Sequence, residues 1–497
     1  MAETVERYLE DHAGDARTLL ERLCRQPSIA AQGHGVAEMA DLVDAELRAT
    51  GFETRQLNIA GAPPIVYGEL RGRTPYTLLL YDHYDVQPPE PLDLWESPPF
   101  EPTVRDGKLY ARGTSDDKGE IAARLTAIRA LRAAHGPLPI TLRWVIEGEE
   151  EVGSTHFGPI VEPHADLLRA DGCLWEGTGF EPSGRPHIMM GAKGMLYIQL
   201  DVAALSRDAH SGTATILPSA AWRLVQALAT LRGPDGHVRI DGFYDAVRSP
   251  TGDEVAALTA AEDVEAEMRA TYAIERFVDG VTGLDLRTRA AFTPTCNLAG
   301  LTSGYGGPGL KTVLPAAASA KIDFRLVPDQ DPEDILAKVR RHLDAHGYTD
   351  VRVTALGTAE PVLTPLTDPF ARRVIAAAER FAGQSASITP LGGGSLPLLG
   401  PLRRLVGVPG LSVPGDPLYW ANGAHAPNEH IRLVDLDLAV RFNCALFQEL
   451  SGDSADHEPA DGVRVDATRP HGAHRGGGGG KRHAGRSGAA HGRRDDG

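Results

Sequence analysis

The sequence predicts an α/β protein, a mostly parallel sheet covered by helices and interrupted by an inserted α+β module. Three observations predict it. Short apolar runs alternate with amphipathic helical runs over residues 54–191, and again over 361–450, the pattern of βαβ units. Between 195 and 357 the strand-like segments alternate apolar and polar residues with period two, as half-buried antiparallel strands do. The chain has 497 residues, 42% of them hydrophobic, enough for about two to four domains at roughly 100–200 residues each.

Each element follows from its local pattern. Residues 1–50 read as helices: Leu19, Leu20 and Leu23, then Ala37, Met39, Leu42, Val43 and Leu47, recur near helical spacing, and Gly51 ends the second run. Residues 76–81 (YTLLLY) are a short apolar run with the texture of a buried strand. A helix follows over 121–136, closed by Gly136 and Pro137. Residues 140–148 (ITLRWVIEG) and 171–177 (DGCLWEG) supply two more buried strands. The alternating segments of the insert are 195–205 (MLYIQLDVAAL) and 319–328 (SAKIDFRLVP), accompanied by helical segments 219–233 and 331–347. The last part reads as a helix over 368–383, a Gly-rich turn LGGGSLP, a strand-like segment 405–415 and a closing helix over 434–450. Domain boundaries are therefore expected at 1–191 with 359–450 for the main unit and 192–358 for the insert. Residues 451–497, rich in Gly, His, Arg and Asp, are expected to be a disordered tail.

Composition excludes several classes of partner. Fifty Lys and Arg stand against 67 Asp and Glu, a net charge of −17. Such a surface repels phosphate backbones and anionic lipid, so neither nucleic acid nor membrane is an expected partner. Cys24, Cys173, Cys296 and Cys444 are scattered, without metal-binding spacing, and read as reduced thiols. The first residues lack a basic segment followed by an apolar one, and no apolar run approaches the ~20 residues of a spanning helix. A cytoplasmic protein is expected.

The chemistry lies in where acidic and histidine residues fall. DHYD (82–85) follows one strand, DDKGE (116–120) enters a helix, EGEEE (147–151) follows a second strand, Glu176 closes a third, and His425 lies in GAHAPNEH. Ligand sites of open parallel sheets gather outside the carboxyl ends of strands, so topology alone brings most of these clusters to one edge. Singly, each has an ordinary use: a chance His-x-Asp, an N-cap pair, a solvated run of Glu. Together they make a poor structural surface, because like charges repel unless cations neutralise them. Carboxylate oxygens with imidazole nitrogens suit Zn, Mn or Co.

The segments LLLYDHYDVQP, DGKLYARGTSDDKGE, EGEEEVGS and GAHAPNEHI jointly resemble the two-metal metallopeptidase family of carnosinase-type dipeptidases, carboxypeptidase G, acetylornithine deacetylase, succinyl-diaminopimelate desuccinylase and aminoacylase. The resemblance covers residues 10–450. It implies a zinc-peptidase-like catalytic domain, an inserted dimerisation (lid) domain, a homodimer, and two divalent ions per subunit, zinc foremost with manganese or cobalt as alternatives. Carried over by residue, it makes His83 and Glu176 ligands of one metal, Glu151 and His425 ligands of the other, and Asp116 the bridge. Asp85 would fix the His83 tautomer. Glu150 would be the general base, taking the proton of the attacking water and passing it to the leaving amine; EGEEE leaves Glu149 as the neighbouring alternative. His210 would reach the partner subunit's site, Arg325 would grip a free substrate carboxylate, and Thr312 and Ser395 would add substrate contacts. Asn297 is a further candidate.

The implied activity is hydrolysis of the amide bond of a small substrate with a free carboxylate, a dipeptide first, with an N-acyl amino acid deacylase as the alternative. A non-catalytic metal-binding relative is the other class, against which every expected ligand type and the base are present. Two features depart from the dipeptidase pattern. Glu176 stands where carnosinase-type dipeptidases usually have Asp, and no histidine occurs near 356–361, at the end of the lid.

Overall fold

The computed structural model describes residues 4–181, 183–414 and 422–451; the segment 451–497 read as a tail lies, apart from Ser451, outside the described residues. After a short first helix (Val5–Asp11) come helices α1 (Asp15–Arg25) and α2 (Val36–Thr50), whose apolar stripes are buried, and Gly51 ends α2 with φ 102°, a left-handed turn that suits glycine. Strands β1 (Glu53–Leu57), β2 (Ile65–Leu70) and β3 (Thr77–His83) follow, then α3 (Lys118–His135), β4 (Thr141–Glu147), β5 (Gly172–Thr178) and β6 (His187–Met189). A second group comprises β7 (Gly194–Ala203), α4 (Ala220–Leu231), β8 (Asn297–Ser303), β9 (Ala317–Leu326), α5 (Pro332–Ala345) and β10 (Arg352–Ala359). The chain then adds α6 (Pro369–Ala382), β11 (Ser387–Thr389), β12 (Gly410–Pro414) and α7 (Leu433–Leu450).

Eight strands form one sheet in the order β1-β2-β4-β3-β5-β12-β6-β11. Its centre, β4-β3-β5-β12, is parallel, as is β6 with β11; β1-β2, β2-β4 and β12-β6 are antiparallel. The central strands carry continuous apolar stretches, as strands covered on both faces do, and so read as runs rather than alternations. Trp144, Trp175, Leu78, Leu79, Leu80 and Ile146 are fully buried there.

The second sheet has the order β8-β9-β7-β10. β7 and β9 pair antiparallel from Gly194↔Leu326 to Ala203↔Ala317, and their alternation buries Leu196, Ile198, Leu200, Ala320, Ile322 and Phe324 against α4 and α5. Local sequence starts these helices: Ser219 accepts from the Trp222 amide to cap α4, and Asp331 caps α5 by accepting from the amides of Glu333 and Asp334, with Pro332 in the first turn.

Two elements differ from the sequence reading. Helix α3 starts at Lys118, three residues before the apolar periodicity, because Lys118 and Glu120 are buried polar residues that such a pattern overlooks. The strand-like segment 405–415 divides: Leu405 and Val406 end a helix (Leu399–Val406), Gly407 closes it at φ 66°, and the strand begins only at Gly410.

Candidate metal centre

The carboxyl ends of β3, β4 and β5, the loop before α3 and the loop 422–430 meet at one place. β3 ends on His83, which is fully buried. Its Nδ1 donates to the Asp85 backbone carbonyl at 3.0 Å. A carbonyl can only accept, so Nδ1 carries a proton; Nε2, the atom facing the site, donates to Asp116 in the protonated ring and would offer its lone pair to a cation in the neutral one. That Nε2 lies 2.9 Å from Asp116 Oδ1 and 3.5 Å from Glu176 Oε2. The other oxygen of Asp116, Oδ2, lies 3.0 Å from His425 Nε2, which is itself 3.2 Å from Glu151 Oε2. One carboxylate thus faces two imidazoles, one on each oxygen. The loop before α3 supplies this carboxylate, and the turn Glu150–Val152 after β4 supplies Glu151.

Two groups of side chains have ligand atoms within 4.8 Å of one another: Asp116, Glu151 and His425, and His83, Asp117 and Glu176. The second contains Asp117 where the sequence suggests Asp116, and electrostatics separates the neighbours. Burial and the nearby Asp82, Glu120 and Glu176 raise the Asp117 carboxyl well above its ordinary range. Its Oδ2 accepts from the His83 amide at 3.0 Å. Asp116 is pulled the other way: burial opposes ionisation, but hydrogen bonds from His425 and His83 hold it below the usual carboxylate range. Of the two carboxyls, Asp116 is the more readily ionised. A third acidic group, Asp82, Asp117 and Glu120, already has a cation, because Arg124 lies 2.6 Å from Asp82 and 2.8 Å from Glu120.

The donors fit divalent cations. They are carboxylate oxygens and imidazole nitrogens. Glu176 Oε2 is buried with no hydrogen-bond partner among the described residues, an orphan that a cation would satisfy. Hydrogen bonds to Asp116 and Glu151 raise His425 to about 10, and Glu176, Asp116 and Asp85 raise His83 against the effect of burial. Both imidazoles sit where the surrounding charge demands a positive partner.

Asp85 meets His83 twice: its backbone carbonyl lies 3.0 Å from Nδ1 and its carboxylate Oδ1 3.4 Å from the same nitrogen. The carboxylate spans the amides of Glu150 and Glu151, at 3.1 Å each, and so orients the turn carrying both. Burial, with Glu151 and Asp116 nearby, raises Glu150 to about 8 although His83 opposes the shift. Glu149 is engaged elsewhere, with His156 Nδ1 2.9 Å from its carboxylate and the His156 amide donating to it, which favours Glu150 in the ambiguous EGEEE register.

Other expected site residues form two separate pairs. Arg325, on β9, donates to Ser395 Oγ at 2.8 Å. Close by in charge is Lys193, whose ammonium donates to the Thr293 carbonyl and whose pKa burial and Arg325 lower to about 8. His210 is exposed on a short ribbon (Ala209–His210 with Val313–Leu314), and the Ser211 amide donates to the Thr312 carbonyl. Neither His210 nor Thr312 joins the ligand cluster within this chain. Asn297 donates to Asp323 at 3.0 Å.

Sequence reasoning missed Glu429. Fully buried, it accepts from Arg112 at 2.8 Å and from the amides of Gly113, Ser115 and Asp116 at 2.9, 2.9 and 3.1 Å. Four donors around one carboxylate fix the loop that presents Asp116. Its position four residues after His425 was the available signal.

The pattern of peptidase family M20/M25/M40 matches residues 79–449. Human Beta-Ala-His dipeptidase is 33% identical over 287 residues, a stretch that is 57% of this chain and 56% of that protein. The Cys-Gly metallodipeptidase dug1 of Schizosaccharomyces pombe is 31% identical over 348 residues, 66% of this chain and 72% of that protein. The crystal structure of an M20 family metallo-carboxypeptidase from Sulfolobus solfataricus superposes with a TM-score of 0.84 at 33% identity, covering 88% of this chain and 99% of that one. The family pattern runs from before His83 to beyond His425 and so takes in every candidate ligand, and the chain belongs to peptidase family M20/M25/M40.

Proposed function

We propose that this chain is a metal-dependent dipeptidase that hydrolyses the amide bond of a small peptide with a free carboxylate. The observation that carries the reading is Asp116, whose two oxygens face two imidazoles, His83 at 2.9 Å and His425 at 3.0 Å. In this reading His83, Asp116 and Glu176 hold one divalent ion, and Asp116, Glu151 and His425 a second, with zinc foremost and manganese or cobalt as alternatives. Such ions supply Lewis-acid charge and lower the pKa of water beside them. Glu150 takes the proton of the attacking water as its oxygen adds to the peptide carbonyl, then delivers that proton to the leaving amine. Arg325, steadied by Ser395, holds the substrate carboxylate as a guanidinium fork does. Water is consumed, the C–N bond breaks, and a carboxylate and an amine leave.

The reading includes a homodimer. Among the described residues β8 pairs on one side only, with β9, and exposes Leu298 and Leu301; Trp222 and Val225 are exposed on α4. An uncovered apolar sheet edge is an association surface. Residues 192–358 would form the dimerising lid and residues 1–191 with 359–450 the catalytic unit. Exposed His210 and Thr312 would then complete the partner subunit's site. The four cysteines are all free, in keeping with a cytoplasmic setting. No described helix is long and apolar enough to cross a membrane.

The dipeptidase names of the human and yeast relatives favour a peptide over an N-acyl amino acid. A second reading, a carboxypeptidase acting on longer peptides, draws on the likeness to the Sulfolobus enzyme and shares every residue above. The test is a panel of dipeptides, tripeptides and N-acetyl and N-succinyl amino acids, given to chelator-stripped protein reloaded with Zn or Mn. Turnover should vanish on stripping, return with metal and be greatest on dipeptides. A preference for longer peptides selects the carboxypeptidase, a preference for acyl amino acids selects the deacylase, and folded protein inert under every metal refutes the hydrolase reading.

A further inference from the structure

The sheet splits between the two strands that bear the first pair of candidate ligands. β3 and β5 pair in parallel at Leu78↔Gly172, Leu79↔Cys173 and Leu80↔Leu174, and there the ladder stops although β3 runs on to His83 and β5 to Thr178. On their outer sides both strands remain paired, β3 with β4 through His83↔Glu147 and β5 with β12 through Trp175↔Ser412 and again at Thr178↔Pro414.

Side chains from the N-cap and the first two turns of α3 fill the opening. Asp117 accepts from the His83 amide on the β3 side, and Glu120 Oε1 accepts from the Gly177 amide on the β5 side at 2.7 Å. Arg124 spans the gap: Nη1 donates to the Tyr81 carbonyl at 2.9 Å and Nη2 to the Trp175 carbonyl at 3.2 Å. Its charge is met by Asp82 and Glu120, and all three side chains are essentially inaccessible to water. A buried ion cluster is seldom the most stable filling of such a gap, since well-packed apolar side chains often do as well or better. What a guanidinium adds is a rigid planar fork that fixes the separation of the groups it joins.

We propose that Arg124, held by Glu120 and Asp82, is a positioning residue that sets the splay between β3 and β5, and with it the His83–Glu176 spacing that determines cation affinity at that end of the centre. The inference rests on the metal-centre reading above. The test titrates Co²⁺ alone into chelator-stripped full-length protein, followed by calorimetry and by the visible absorption of bound cobalt. Arg124→Lys keeps the charge but loses the fork. It should weaken cobalt binding about 10- to 100-fold, the range typical of residues that orient metal ligands, and shift the absorption band. Arg129→Lys is the control: Arg129 lies on the same helix and pairs with Glu46 and Thr50 away from the site, so it should bind cobalt as wild type does. If Arg124→Lys does not fold, Glu120→Gln, which keeps the acceptor for Gly177 but gives up the charge facing Arg124, takes its place with the same expectation. Cobalt binding by Arg124→Lys (or its replacement) as tight as wild type, or an equal loss in Arg129→Lys, overturns the positioning role. Wild-type protein that binds no cobalt overturns the metal-centre reading itself.

Discussion

Glu150 sits on a turn whose backbone Asp85 holds, and its carboxylate accepts no hydrogen bond from the described residues. Changing it should therefore touch chemistry more than structure. Glu150→Gln is expected to bind metal and keep wild-type thermal stability while kcat falls about 10²–10⁴-fold, the usual contribution of a general base; near-normal kcat would remove Glu150 from that role. A second residue-scale prediction concerns acid stability. Burial lowers His187 to about 4, and its Nε2 lies 2.8 Å from Thr389 Oγ1, joining β6 to β11. The fold keeps the ring neutral, whereas the unfolded chain takes up a proton near pH 6.5. Between those two values the unfolded state binds more protons, so stability falls as pH drops from about 6.5 towards 4. His187→Gln should flatten that part of a denaturant-midpoint against pH curve; an unchanged slope would assign the acid sensitivity elsewhere. The candidate ligands stood out at this scale because carboxylates and imidazoles at strand ends have few structural uses. The preference for Asp116 over Asp117 came only from the resemblance, since the electrostatic difference between them rests on charges brought in from β3, β5 and α3.

At the scale of elements, the loop before α3 is held by a residue more than 300 positions away in sequence. Glu429 gathers the Arg112 guanidinium and the amides of Gly113, Ser115 and Asp116 in one loop. Glu429→Gln would turn an NH₂ group towards those donors and leave Arg112 buried without its counter-charge. Breaking such a buried pair costs about 3–5 kcal/mol, so the denaturant midpoint should fall markedly and metal uptake should weaken with it. A midpoint unchanged from wild type would show that the loop stands without Glu429. The elements themselves were largely readable, since apolar runs, caps and stop glycines are local properties. Where the reading slipped, at the start of α3 and across 405–415, the deciding features were buried polar residues and a helix end at Gly407.

At the scale of the whole molecule, the proposed dimer makes a prediction that one chain cannot meet. His210→Ala and Glu150→Gln should each be nearly inactive as homodimers. Mixed and reassembled, they should regain a fraction of wild-type kcat, because one of the two sites in a heterodimer would combine an intact Glu150 with the partner's intact His210. No recovery in verified heterodimers would place His210 in its own subunit's site or in none. The sequence by itself determined the α/β class and the order of the elements, because each depends on local periodicity and residue chemistry. Only the tertiary structure decided that Asp116 faces two imidazoles, that Asp85 serves the Glu150–Glu151 turn, that Glu429 holds the loop, and that Arg124 bridges the split between β3 and β5. Each of these joins groups far apart in sequence, and the buried polar residues that do so leave no periodic trace in the chain.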